Sequence, residues 1–219
     1  HYLVMARHDG HPPVIAAHAV ATWSEIDACL QGFQQANASA VLKAFSADDE
    51  LMVLDERARR FLMCMSSLPG GWLSAREHLQ IMAGGLPPAR LGLAHRDLHD
   101  GQFLVNGKTI SLLDFDLVCT ADVALDAGNL LAHMKLRALQ GRNEIGPSAL
   151  TACREAFLSS LGRRDEPEFE KRLSFYQATS FCRLALLYAL RPRWSHLSGP
   201  LLTAGFGCIE AFHEKRGWS

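Results

Sequence analysis

Apolar residues recur at helical spacing through most of the chain. Ile26, Leu30 and Phe33, with Asn37 on the same stripe, predict a first helix opened by Ser24, with Asp27 in the reciprocal capping position. Ser46, followed by Asp48, Asp49 and Glu50, opens a second. Its stripe is Leu51, Leu54, Ala58, Phe61, Leu62 and Met65, and Pro69-Gly70-Gly71 ends it. Ser74 and Glu77 read as the capping box of a third helix that stops near Gly84-Gly85. Beyond Thr120 the pattern is helical again, over Pro147 to about Leu161, Glu168 to Leu190 and Leu201 to Glu214.

One stretch breaks this pattern. An apolar approach, Leu91 to Ala94, leads into a polar run from His95 to Gly101. Phe103 to Val105, then Asn106-Gly107, then Lys108 to Leu113 read as a β-hairpin, because Asn-Gly accepts the positive φ of a type I′ turn. The expected fold is mainly α with a small central β-hairpin. A turn centred on Asn106-Gly107 pairs Val105 with Lys108 and sets Gln102 opposite Ser111. That register gathers Asp97, Asp114 and Gln102 on one rim. Two carboxylates and a carboxamide suit Mg²⁺, a hard cation that takes oxygen ligands together with substrate phosphates. Asp114-Phe115-Asp116 directly follows the apolar strand Ile110 to Leu113, where a carboxylate is costly unless paired or metal-bound.

Composition narrows the function class. With 219 residues, 48% of them apolar and 21% charged, the chain has the make-up of one folded domain rather than a disordered or fibrous segment. A net charge of −1 gives no basic footprint for nucleic acid. No apolar run approaches the ~18 residues of a membrane span. The six cysteines are widely spaced and read as free thiols of a reducing compartment. With no signal-peptide pattern at the start, a cytoplasmic location is expected. His8, His11 and His18 straddle Gly10, Pro12 and Pro13 and read as a loop rather than a metal cluster.

His95-Arg96-Asp97-Leu98-His99-Asp100-Gly101-Gln102, a short hairpin and then Asp114-Phe115-Asp116 resemble the catalytic and metal loops of the protein-kinase-like superfamily. The closer resemblance is to the aminoglycoside phosphotransferase and choline kinase branch, which reads H-G-D-L-H-P-G-N. That branch's G-D-P-A-x-D-L-A is similar to Ala121 through Gly128. The resemblance covers His95 to Gly128 and implies ATP and Mg²⁺ as cofactors, with a small-molecule hydroxyl as phosphoryl acceptor. It implies that Asp97 accepts or orients the proton of that hydroxyl. Asp114 would hold Mg²⁺ on the nucleotide phosphates. Gln102 would be a second metal ligand where the family has Asn, on an arm one methylene longer. Asp116 would contact the metal or its ligands. His95 would brace the loop, His99 line the site, Arg96 pair with a nearby carboxylate, and Asp126 hold the loop backbone through its N–H groups.

A kinase-like enzyme also needs a small amino-terminal lobe. Lys43, with Glu56 on the following helix, is a candidate for that lobe's phosphate-binding pair. Too little chain separates it from His95, however, and no glycine-rich hairpin precedes it. Tyr2 to Met5, followed by a turn at Asp9-Gly10, fits the hinge better. On that reading residues 1–10 are the hinge, with Leu3, Val4, Met5 and Ala6 against the adenine, and residues 11–219 are the helical carboxy-terminal lobe. The small lobe would then lie outside this chain, which begins at His1, and the chain would be inactive alone. A non-catalytic binding or scaffold module is the alternative. Asp48, Asp49, Glu50 and Asp55 are candidate acceptor-facing acids, which a polycationic aminoglycoside would require.

Overall fold

The computed structural model describes residues 9–36, 42–141, 145–159 and 167–214. Among them, α1 (Val20–Gln35), α2 (Ala47–Leu62) and α3 (Trp72–Gly84) precede the site. The site itself is built on β1 (Leu91–Ala94), β2 (Phe103–Asn106), β3 (Thr109–Leu112) and β4 (Cys119–Asp122). Four helices follow: α4 (Ala124–Leu139), α5 (Pro147–Ser159), α6 (Pro167–Ala189) and α7 (Ser198–Glu214). The mainly helical architecture agrees with the sequence reading, while several boundaries differ. The hinge residues Leu3 to Ala6, and Asn37 of the first stripe, lie outside the described residues.

The helix starts show which capping signals won. At α2 the box forms with the second acid of the run: Asp49 N–H donates to the Ser46 hydroxyl, and Ser46 N–H donates to the Asp49 carboxylate at 2.8 Å. Ser24 and Ser74 open nothing, because α1 already begins at Val20 and α3 at Trp72. In both cases an indole anchors the earlier turn. Trp23 donates to the Val14 carbonyl and Trp72 to the Cys182 carbonyl, and both rings are buried. Burying a large aromatic outweighs the roughly 1 kcal/mol of a serine cap. Gly71, at φ 84°, supplies the left-handed residue that lets α3 start there.

The centre of the fold is α4, whose residues from Ala124 to Ala132 are all buried. It packs along α6, and α6 packs in turn along α7. Gly128 permits this closeness: a Cβ there would stand 2.8 Å from the Tyr176 carbonyl carbon and the Gln177 nitrogen. Backbone cannot step aside as a side chain can. Gly128→Ala should therefore cost about 2 kcal/mol, lowering the melting temperature by roughly 4–8 °C in a thermal unfolding scan.

Two antiparallel pairs complete the fold: β1 with β4, and β2 with β3. The strand β4 is hidden in the sequence. Cys119–Asp122 is short and runs directly into α4, and it becomes a strand by pairing with Leu91–Ala94, with Thr120 also bridged to Ala44. In the hairpin Val105 lies opposite Ile110 and Asn106 opposite Thr109. The turn is therefore centred on Gly107-Lys108, with Gly107 at φ 60°, and not on Asn106-Gly107. The register shifts by two residues, which keeps every side chain on its expected face. Gln102 now faces Leu113, whose N–H donates to the Gln102 carbonyl at 2.9 Å.

Candidate active site

The hairpin base puts Gln102 and Asp114 at one corner. Gln102 is buried, and its amide nitrogen lies 3.5 Å from the Asp114 carboxylate. Asp114 is exposed and adopts φ 61°, a left-handed conformation that Asp tolerates better than most residues. This turn lifts its carboxylate off the end of β3. Rotation of the Gln102 carboxamide by 180° would offer its oxygen to the same point. The corner thus fits a hard divalent cation held by one carboxylate and one amide oxygen, with phosphate oxygens completing the shell. Among the described residues there is no group of three or more His, Cys, Asp or Glu side chains able to hold a metal unaided. Asp116 is exposed and makes no hydrogen bond or ion pair among the described residues.

Asp97 sits on the loop after β1, exposed and free of side-chain hydrogen bonds among the described residues. The loop beneath it is fixed from below. Asp126, on the first turn of α4 and fully buried, accepts from His95 N–H at 2.7 Å and from Arg96 N–H at 2.9 Å. Burial pushes the Asp126 carboxyl up, and these two donors draw it back down. His95, also buried, bonds through Nε2 to the Leu113 carbonyl at 2.7 Å. That contact places the ring proton on Nε2 and ties the Asp97 loop to the residue before Asp114. Two turns carrying exposed carboxylates are thereby locked to one another.

Arg96 occupies the position where the related motif has Gly, and its φ is 69°. A side chain in that region costs roughly 1–2 kcal/mol. The guanidinium lies over the Phe45 ring, 3.8 Å from its centroid, and the cation–π contact offsets part of that cost. Its partner is therefore an aromatic face and not the expected carboxylate.

His99 accepts from Gly101 N–H through Nδ1 and stacks on His133, with ring centroids 5.1 Å apart. Desolvation lowers the pKa of His99, and that of His133 falls well below its ordinary value for the same reason. A histidine depressed by folding binds its proton more tightly in the unfolded chain. Stability is then complete above the ordinary value of about 6.5 and declines as the pH falls below it. Unfolding free energy measured from pH 7.5 to 5.5 should fall, and more shallowly in His133→Leu than in wild type.

Asn129 and Arg183, absent from the sequence reading, finish the support. Asn129 donates to the Arg96 carbonyl at 3.4 Å and accepts from Arg183 of α6, which in turn pairs with buried Glu50 of α2 at 3.0 Å. The available signal is that Asn129 follows Asp126 by three residues, on the same helix face. The four candidate acceptor-facing acids do not form a cluster. Glu50 is held by Arg183, Asp55 by Arg76 at 2.8 Å and Asp49 by Ser46, leaving Asp48 exposed. Lys43 and Glu56 do not pair: Glu56 binds Arg59 and Arg60.

A family model described as the phosphotransferase enzyme family matches residues 2–168, and the chain belongs to that family. No curated protein matches it. Its fold is similar to that of a choline/ethanolamine kinase family protein from Mesorhizobium loti, at 15% identity and a TM-score of 0.61 over 89% of this chain. The chain spans 64% of that relative's length. A choline kinase from Cryptosporidium parvum is 10% identical with a TM-score of 0.66, covering 95% of this chain and 70% of its own. An amicoumacin kinase solved with AMP-PNP, Ca²⁺ and its ligand is 16% identical with a TM-score of 0.60, covering 94% of this chain and 63% of its own. Among the described residues no helix is long and apolar enough to cross a membrane.

Proposed function

We propose that the protein transfers the γ-phosphoryl group of ATP to a hydroxyl of a small molecule in the cytoplasm. Residues 11–219 serve as its carboxy-terminal lobe, and residues 1–10 as the hinge to a small lobe outside this chain. The observation that carries the reading is the pairing of two locked turns. Asp114 and Gln102 stand at one corner, and Asp97 lies on a loop bound to it through His95. At that corner Mg²⁺ would supply charge neutralisation for the phosphate oxygens. Asp97 takes the acceptor's proton. Asp126 and His95 hold Asp97 in register with the metal corner, so that little reorganisation is needed at the moment of transfer. Leu3 to Ala6 offer backbone groups to the adenine.

Calorimetry on the intact gene product tests this reading. AMP-PNP should bind at least tenfold more tightly with Mg²⁺ than without it. Equal affinity in the two conditions would favour a scaffold without catalysis.

A further inference from the structure

A cleft of about 850 Å³ runs between α2 and the end of α6 and reaches the loop after β1 at Arg96 and the loop between β3 and β4 at Leu117. Its size suits a small organic ligand. Its charge is one-sided: Lys43, Arg57, Arg59, Arg60, Arg96 and Arg183 face it, against two carboxylates. Of those two, Asp49 accepts from both the N–H and the hydroxyl of Ser46, and Glu56 is shared by Arg59 and Arg60. Both are engaged by neighbours on α2 and its cap.

Arg57 stands apart from the other arginines. Arg183 is engaged by Glu50 and Arg96 lies on Phe45, whereas Arg57 makes no hydrogen bond or ion pair among the described residues. Although exposed overall, its guanidinium loses hydration in the cleft and feels the positive charge of Arg183, and both lower its pKa. The carboxylates of Glu50 and Asp97 are close enough to act on it in the opposite direction without cancelling that shift. A bound anion would relieve the crowding of positive charge. Between the cations, Met52, Val53, Leu186, Leu187 and Leu190 supply an apolar wall.

We propose that this cleft receives the phosphoryl acceptor and that the acceptor is an anion, an alcohol carrying a carboxylate or phosphate on an apolar body. The acidic end lies on Arg57 and the hydroxyl reaches Asp97. The word acceptor rests on the phosphotransferase reading; the preference for an anion does not. In the transfer the hydroxyl proton passes to Asp97 and the alcohol oxygen bonds to the γ-phosphorus. The bond from that phosphorus to the β–γ bridging oxygen breaks, and its electron pair leaves with ADP. A polyamine would meet an excess of like charge in the cleft, six cationic side chains against two acidic ones.

Four probes differing at one end test the charge preference on a constant body: 6-hydroxyhexanoate, 6-hydroxyhexyl phosphate, hexane-1,6-diol and 6-aminohexan-1-ol. Titrated calorimetrically into the 219-residue chain, at least one acid should bind at least tenfold more tightly than the diol and the amine. The stronger of the two acids identifies the anionic group. Arg57→Gln should weaken that acid at least tenfold, and Lys43→Gln should weaken it less. Amine binding equal to that of the acids, acid binding unchanged in Arg57→Gln, or no acid binding would overturn the proposal. Arg57-dependent acid binding without ATP-dependent phosphorylation of the acid by the intact gene product would retain the anion site and reject the phosphotransferase reading.

Discussion

Asp97→Asn should slow phosphoryl transfer by roughly 10²–10⁴-fold, the range associated with a positioned proton acceptor, and leave folding untouched. The side chain is exposed and holds up nothing, since the loop around it is fixed by Asp126 and His95. Asn has the same shape but cannot take a proton from the acceptor hydroxyl. The loss should therefore fall on kcat rather than on nucleotide affinity. Steady-state kinetics, with a thermal scan of both proteins, separates the outcomes. An unchanged kcat would remove Asp97 from the chemistry. A melting temperature lowered by many degrees would make it a structural residue instead.

Asp126→Ala should have the largest effect on stability among residues near the site. It strands the N–H groups of His95 and Arg96, both of which Asp126 now satisfies inside the protein. Each stranded donor costs about 1–3 kcal/mol, so the variant should lose roughly 2–5 kcal/mol and melt roughly 5–15 °C lower. The loop would also relax, carrying Asp97 out of register with the Asp114 corner. Activity at a temperature where the variant is still folded should therefore fall as well. Asp126→Asn offers one acceptor in place of two and should lie between. Chemical denaturation supplies the stability ranking, and kinetics at low temperature supplies the second readout.

Much of this arrangement is legible in the amino-acid sequence because the motif is local. His95 to Gly128 carries its chemistry at short, fixed spacings, which is why the phosphotransferase family can be read from it. The long helices are legible for a similar reason: their apolar stripes repeat over many turns. The less legible parts depend on distant partners. Cys119–Asp122 becomes a strand against Leu91–Ala94, with a further bridge from Thr120 to Ala44. Arg96 turns to Phe45, fifty-one positions earlier in the chain, because its left-handed backbone aims the side chain there. Asp55 and Glu50 look like free surface acids until Arg76 and Arg183 approach from other helices. Asn129 is invisible as a support until α4 is known to run beneath the loop that follows β1. The hairpin register slips by two residues because Gly107, and not Asn106, takes the first central position of the turn.

The reading of these turns as a phosphotransferase site is tested most directly by ³¹P nuclear magnetic resonance of the intact gene product. The sample holds Mg²⁺, ATP and a mixture of anionic, neutral and cationic alcohols. The γ-phosphorus signal should disappear as a phosphomonoester signal grows in equal amount with ADP, and neither change should occur at a comparable rate with Asp97→Asn. ATP that persists, or ATP that yields only inorganic phosphate while every alcohol stays unmodified, would contradict the account.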